Sequence, residues 1–87
     1  MNEVQRRIRL CIAAYQYELQ PEGKQVMTDA EFDEECLKVD LTVDTPRPDL
    51  DKWWRSKFQP FTGSWINTHP DLERIREIYN MYYGRIK

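Results

Sequence analysis

Val4, Ile8, Cys11, Ile12, Tyr15 and Leu19 keep the three- and four-residue spacing that gathers side chains on one face of an α-helix, while Arg6, Arg7, Arg9 and Gln16 fall on other faces. The pattern predicts a helix over residues 2–19, closed by the turn residues Pro21 and Gly23. A second helix opens at Thr28. Glu31 follows at the capping-box position, and Met27 and Phe32 are spaced to pack on each other as a hydrophobic staple. After Val39, the alternation Leu41, Val43 runs into Thr45-Pro46-Arg47-Pro48, where two prolines fix φ and remove donors, so this stretch reads as a linker. Leu50, Trp53, Trp54 and Phe58 resume helical spacing behind Pro48 and Asp49, predicting a short third helix that ends by Gln59, before Pro60. The segment from Phe61 to Asn67 has large apolar residues without a period and reads as a packed loop. Thr68 and Asp71 resemble a further capping box, with Pro70 in the first turn. Leu72, Ile75, Tyr79, Tyr82 and Ile86 then share a face up to a stop near Gly84. The expected fold is all-α: a small four-helix domain with an N-terminal antiparallel hairpin over residues 1–41 and C-terminal helices over 48–87.

A chain of 87 residues supports one modest core and no second domain, with a stability of about 4 to 13 kcal/mol. Hydrophobic content of 40%, aromatic content of 13% and three Trp argue for a folded chain. They outweigh a mean hydropathy of -0.82. No apolar run reaches the length of a membrane span, and the first residues lack a signal-peptide core, so a cytoplasmic location is the expectation. Cys11 and Cys36 both fall on apolar helical positions and read as reduced, buried thiols. With the single His69 they offer no metal-ligand spacing, so neither a metal nor a cofactor is expected.

The net charge of -2 is unevenly placed. Between Tyr15 and Glu35 lie Glu18, Glu22, Asp29, Glu31, Asp33, Glu34 and Glu35 against Lys24 alone, so this region would repel a phosphate. Helix capping alone accounts for Asp29, which sits at the positive end of the second helix. Asp33 is different. It stands one turn from Asp29 on the same face, where like charges cost a few tenths of a kcal/mol.

Tyr15-Gln-Tyr17-Glu18-Leu, a short turn, and then Thr28-Asp29-Ala-Glu31-Phe32-Asp33 resemble the helical hairpin of the N-terminal Ia domain of bacterial NAD-dependent DNA ligases. The likeness covers about residues 6–41. Tyr17 matches the family's tyrosine, and Asp29 and Asp33 match its two aspartates. Glu18 stands where the family has histidine, and Phe32 where it has a second tyrosine. The resemblance implies a hairpin scaffold and a nicotinamide mononucleotide site at Tyr17, Asp29 and Asp33.

Catalytic patterns are missing. Lys38-Val39-Asp40-Leu41 lacks the glycine of a ligase adenylation motif, and nothing after it resembles a nucleotidyl-transfer pocket. His69 lies at the start of the fourth helix, away from any partner nucleophile, and Gly23, Gly63 and Gly84 are isolated. The expectation is a non-enzyme. Trp53, Trp54, Phe58, Phe61 and Trp65 lie too close together in sequence for one small core, so Trp54, Phe61 and Trp65 are expected partly exposed as anchors for a protein partner, with Lys52 and Arg55 on the rim. The competing reading folds the Phe61 loop back and buries every ring. A sequence pI near 5.4 argues against a general nucleic-acid binder, leaving only local basic faces built from Lys52, Arg55 and Lys57 or from Arg6, Arg7 and Arg9. The sequence thus points first to a non-catalytic interaction module acting through an unidentified protein partner, at home as an accessory protein of a bacterium or phage. A weak nicotinamide-nucleotide binder comes second, and a nucleic-acid-associated protein third.

Overall fold

The computed structural model describes residues 2–83 and contains four α-helices, α1 (Glu3–Leu19), α2 (Asp29–Lys38), α3 (Pro48–Lys57) and α4 (Leu72–Tyr82). A 3₁₀ helix, Ser64–Thr68, lies between α3 and α4, and no strand occurs among the described residues. The predicted stop at Gly84 and the core position of Ile86 lie outside the described residues. None of the described helices is long and apolar enough to cross a membrane.

Local chemistry sets the first two helix starts. Asn2 Oδ1 accepts the Gln5 N–H at 2.8 Å while Gln5 Oε1 accepts the Asn2 N–H, closing a capping box on α1. Thr28 Oγ1 accepts the Glu31 N–H at 3.1 Å, and Glu31 Oε1 accepts the Thr28 N–H at 2.9 Å. That is the box read from the sequence. The fourth helix departs from expectation, since no side chain caps it. Thr68 is committed elsewhere: its hydroxyl accepts from Trp53 Nε1 and donates to the Trp65 carbonyl. In place of a cap, His69 Nδ1 accepts the Asp71 N–H at 2.9 Å.

Helix α1 is the central element, packing against α2, the 3₁₀ helix and α4. Leu10, Cys11, Ala14, Cys36, Ile66, Ile75 and Tyr79 form the heart of the core. Small residues at Ala13 and Ala14 let neighbours approach closely: a Cβ placed on Gly63 would lie 3.2 Å from Ala14 Cβ. On the opposite side, a Cβ on Gly23 would collide with the Tyr79 hydroxyl, which donates to the Lys24 carbonyl and pins the α1–α2 turn onto α4.

Two expectations about faces are corrected. Val4, Ile8 and Leu19 remain about two-fifths exposed, whereas Arg7 and Gln16, assigned to other faces, are buried. Arg7 is tolerated because every arm of its guanidinium is engaged, through Glu3, Asp51 and the carbonyls of Asp40 and Val43. The second correction concerns the tryptophans. Trp54 is 2% exposed and Trp65 5%, so neither is an anchor in solvent. The 3₁₀ helix folds the segment after Pro60 back onto α3, and Trp53, Trp54, Phe58 and Trp65 stack into one aromatic cluster with centroids 4.9 to 5.8 Å apart. Phe61 alone of the three proposed anchors stays out, at 60% exposure.

Candidate functional site

The hairpin brings Tyr17, near the end of α1, to the first turn of α2, where Asp29 and Asp33 follow one another by one helical turn. Together with Ala13, Gln16, Met27 and Phe32, they line an open cleft of about 200 Å³, whose remaining wall is Phe61, Thr62 and Gly63. Met27 and Phe32, spaced as a staple, both contribute to its floor. The close seat of Gly63 against Ala14 brings the loop wall near α1.

Phe61 is the irregular member of the wall. Its φ is 69°, the left-handed region that a bulky side chain pays to occupy, at an order of 1–3 kcal/mol. No other non-glycine residue among those described has a positive φ. The ring gains little burial in return. Tyr17 is similarly open, at 59%.

Elsewhere some acids are engaged, Glu3 and Asp51 with Arg7, Glu35 with Arg6 and Lys38, Asp44 with Arg55, Asp49 and Asp71 with Arg47, whereas Glu18, Glu22, Glu31, Glu34 and Asp40 form no ion pair among the described residues. Among the described residues, Asp29 and Asp33 take part in no ion pair. Gln16 is 6% exposed, and its Nε2 donates to the Gln20 carbonyl at 3.3 Å. Its Oε1 accepts no hydrogen bond from a described residue. Gln16 also lines the cleft. Asp29 also offsets the positive end of α2, so part of its placement serves the helix.

A second, larger concavity of about 320 Å³ lies between α1, α3 and α4, walled by Val4, Ile8, Trp54, Ile75 and Ile78. Of its charged residues, Arg7 pairs with Asp51 and Arg47 with Asp71 within the lining, while Arg74 reaches only Glu77, outside it, at 3.7 Å. It is the more apolar of the two, with Arg74 and His69 among its polar lining residues.

The remaining proposed residues are dispersed. Lys52 and Arg55 are exposed on α3, but Arg55 is folded back onto the linker, donating to the Leu41 and Val43 carbonyls and to Asp44. The basic face proposed from Arg6, Arg7 and Arg9 is not formed as such, because Arg7 is buried and Arg6 is held by Glu3 and Glu35. Among the described residues, no three His, Cys, Asp or Glu side chains gather where they could hold a metal ion. Burial pushes both cysteine thiols above their ordinary range, Cys36 despite the Phe61 backbone N–H near it, so neither is a ready nucleophile. His69 is buried against Trp53 and is pushed below the ordinary imidazole range by that burial.

Sequence reasoning found Tyr17, Asp29 and Asp33 but missed Gln16 and the closing role of Phe61. The sequence carried a partial signal for Gln16, which lies one helical turn after Ile12 and Ala13 and so returns to their face. Comparison of the chain with protein-family models, with curated proteins and with solved structures finds no match.

Proposed function

We propose that this protein is a non-catalytic interaction module whose working surface is the cleft between the α1–α2 hairpin and the Phe61 loop, and whose ligand belongs to a protein partner. One observation carries the reading. Phe61 holds a largely exposed ring on a strained backbone at the mouth of a cleft lined by two unpaired carboxylates. Folding gains nothing evident from that ring, so binding is the better reason for it. The partner surface is thereby moved from Trp54 and Trp65 to Tyr17, Asp29, Asp33 and Phe61.

A screen of small fragments followed by amide chemical shifts tests the choice of surface. Shifts are expected to cluster at Tyr17, Asp29, Asp33, Phe61 and Thr62. Clustering around Ile8 and Ile75 instead would make the apolar groove the binding site.

A nicotinamide nucleotide is the second reading, favoured by the meeting of Tyr17, Asp29 and Asp33 at one cleft. The carboxylates suit a pyridinium and oppose its phosphate. Saturable micromolar binding of nicotinamide mononucleotide, with shifts at those residues, would place this reading first.

A further inference from the structure

We propose that His69 is a proton-released latch: its neutral form holds the start of α4 against α3, and protonation frees that end of the helix and opens the apolar groove beside it. The geometry admits one tautomer. Nδ1 accepts the Asp71 N–H at 2.9 Å, so its lone pair is engaged and the ring proton sits on Nε2. A second proton can go only to Nδ1, where it faces that N–H, and the bond is then lost. Among the described residues no side chain caps α4 in its place.

The turn is placed so that this one bond joins three elements. Asp71 is the N-cap of α4, and its carbonyl accepts the Arg74 N–H at 3.0 Å and the Ile75 N–H at 3.3 Å. Its carboxylate reaches Arg47, the N-cap of α3, at 3.7 Å. On the other side, the His69 N–H donates to the Ile66 carbonyl of the 3₁₀ helix, and the ring packs on Trp53 of α3 with centroids 4.6 Å apart. His69, Asp71, Arg74 and Ile75 all line the groove between α1, α3 and α4. A released turn withdraws that wall and uncovers Ile75, which is 5% exposed in the closed form. Burial opposes the imidazolium most, and Arg47 opposes it too, whereas Asp71 on the same turn and Asp49 on α3 favour it. Of the other charged groove residues, Arg7 and Asp51 pair with each other and Arg74 reaches Glu77. The latch is therefore closed at neutral pH and releases below the ordinary imidazole range. Once charged, the ring attracts the Asp71 carboxylate and competes with Arg47 for it.

The test is an acid titration of the whole chain that follows the ring nitrogens of His69 and the backbone amides. At neutral pH the nitrogen shifts should report a protonated Nε2 and a bare Nδ1. Through one midpoint below about 6.5, the Asp71, Leu72, Arg74 and Ile75 amides should shift together with the ring. Their protection against hydrogen exchange should fall by about tenfold, while that of α2 holds. His69→Asn is the comparison variant. Its Oδ1 stands as many bonds from the backbone as Nδ1, accepts from the amide two residues on and does not titrate, so the step should vanish with α4 closed. The proposal is overturned if the neutral ring carries its proton on Nδ1, if the Asp71 to Ile75 amides ignore the ring titration, or if α2 opens at the same midpoint. A step that survives in folded His69→Asn overturns it as well. Should that variant not fold, the ring and amide titrations of the unaltered chain still decide.

Discussion

Arg7 Nη1 lies 3.0 Å from Asp51 Oδ1, a buried ion pair that joins α1 to the start of α3 across 44 positions of sequence. Around it the linker is tied down, with the Asp40 and Val43 carbonyls on Arg7 and the Thr45 N–H and hydroxyl on Asp51. The Arg7 guanidinium also sits 5.7 Å from the Trp54 ring centroid. Removing one partner of such a pair strands the other without water. Asp51→Asn is therefore expected to cost about 3 to 5 kcal/mol, a large part of the stability of a domain this small. Chemical denaturation checks it.

The same pair sets an acid limit. The Thr45 backbone N–H, then its hydroxyl and Arg7, hold Asp51 below the ordinary carboxylate range against the cost of burial. A folded pKa below the unfolded one means that the stabilisation is complete above the unfolded value of about 3.9 and is lost as pH falls through the folded value. His69 adds an earlier step. Burial lowers its pKa, so its neutral form is favoured by folding, and stability should begin to fall as pH drops below about 6.5. Denaturation midpoints across pH should show both steps, the lower one absent in Asp51→Asn. A midpoint flat from pH 7 to pH 3 would contradict both assignments.

Thr28→Ala should cost about 0.5 to 2 kcal/mol, because it removes the acceptor for the Glu31 N–H and half of the α2 capping box. An unchanged unfolding midpoint would show that α2 does not depend on this cap.

Both cysteines should react slowly with a thiol reagent in the native state and rapidly in denaturant, since each is at most 3% exposed and its thiolate is disfavoured by burial. Fast native labelling at Cys36 would place the α2 face differently.

Phe61→Gly separates strain from burial. Glycine occupies a φ of 69° without penalty, and the exposed ring contributes little packing, so stability should hold or rise by up to about 1 kcal/mol. Binding at the cleft should fall. A loss of several kcal/mol would mean that Phe61 is a structural residue.

Local signals were strong in the sequence wherever one residue acts on its near neighbours. The Thr28–Glu31 box, the Pro48 start of α3 and the apolar positions of Cys11 and Cys36 needed only spacing and propensity, and the structure has all of them. Long-range commitments were not accessible in the same way. The apparent cap at Thr68 was lost to Trp53, 15 positions away, and the expected exposure of Trp54 and Trp65, though not of Phe61, vanished once the 3₁₀ helix turned Trp65 onto Trp54. Arg7 went unrecognised because its polarity argued for solvent, although its spacing from Cys11 and Ala14 put it on the buried face. The cleft was half visible: one hairpin supplied Tyr17, Asp29 and Asp33, whereas Phe61 reached them only through the fold.

The claim that the cleft is the working surface is tested most directly by photocrosslinking from two positions of comparable exposure. A photoreactive phenylalanine analogue is placed at Phe61, on the cleft, or at Leu37, on the exposed face of α2. In extract of the cells that make the protein, position 61 should yield a discrete adduct that disappears when Asp29→Asn and Asp33→Asn are added, and position 37 should not yield it. The same adduct from position 37, or an adduct from position 61 indifferent to the two carboxylates, would contradict the account.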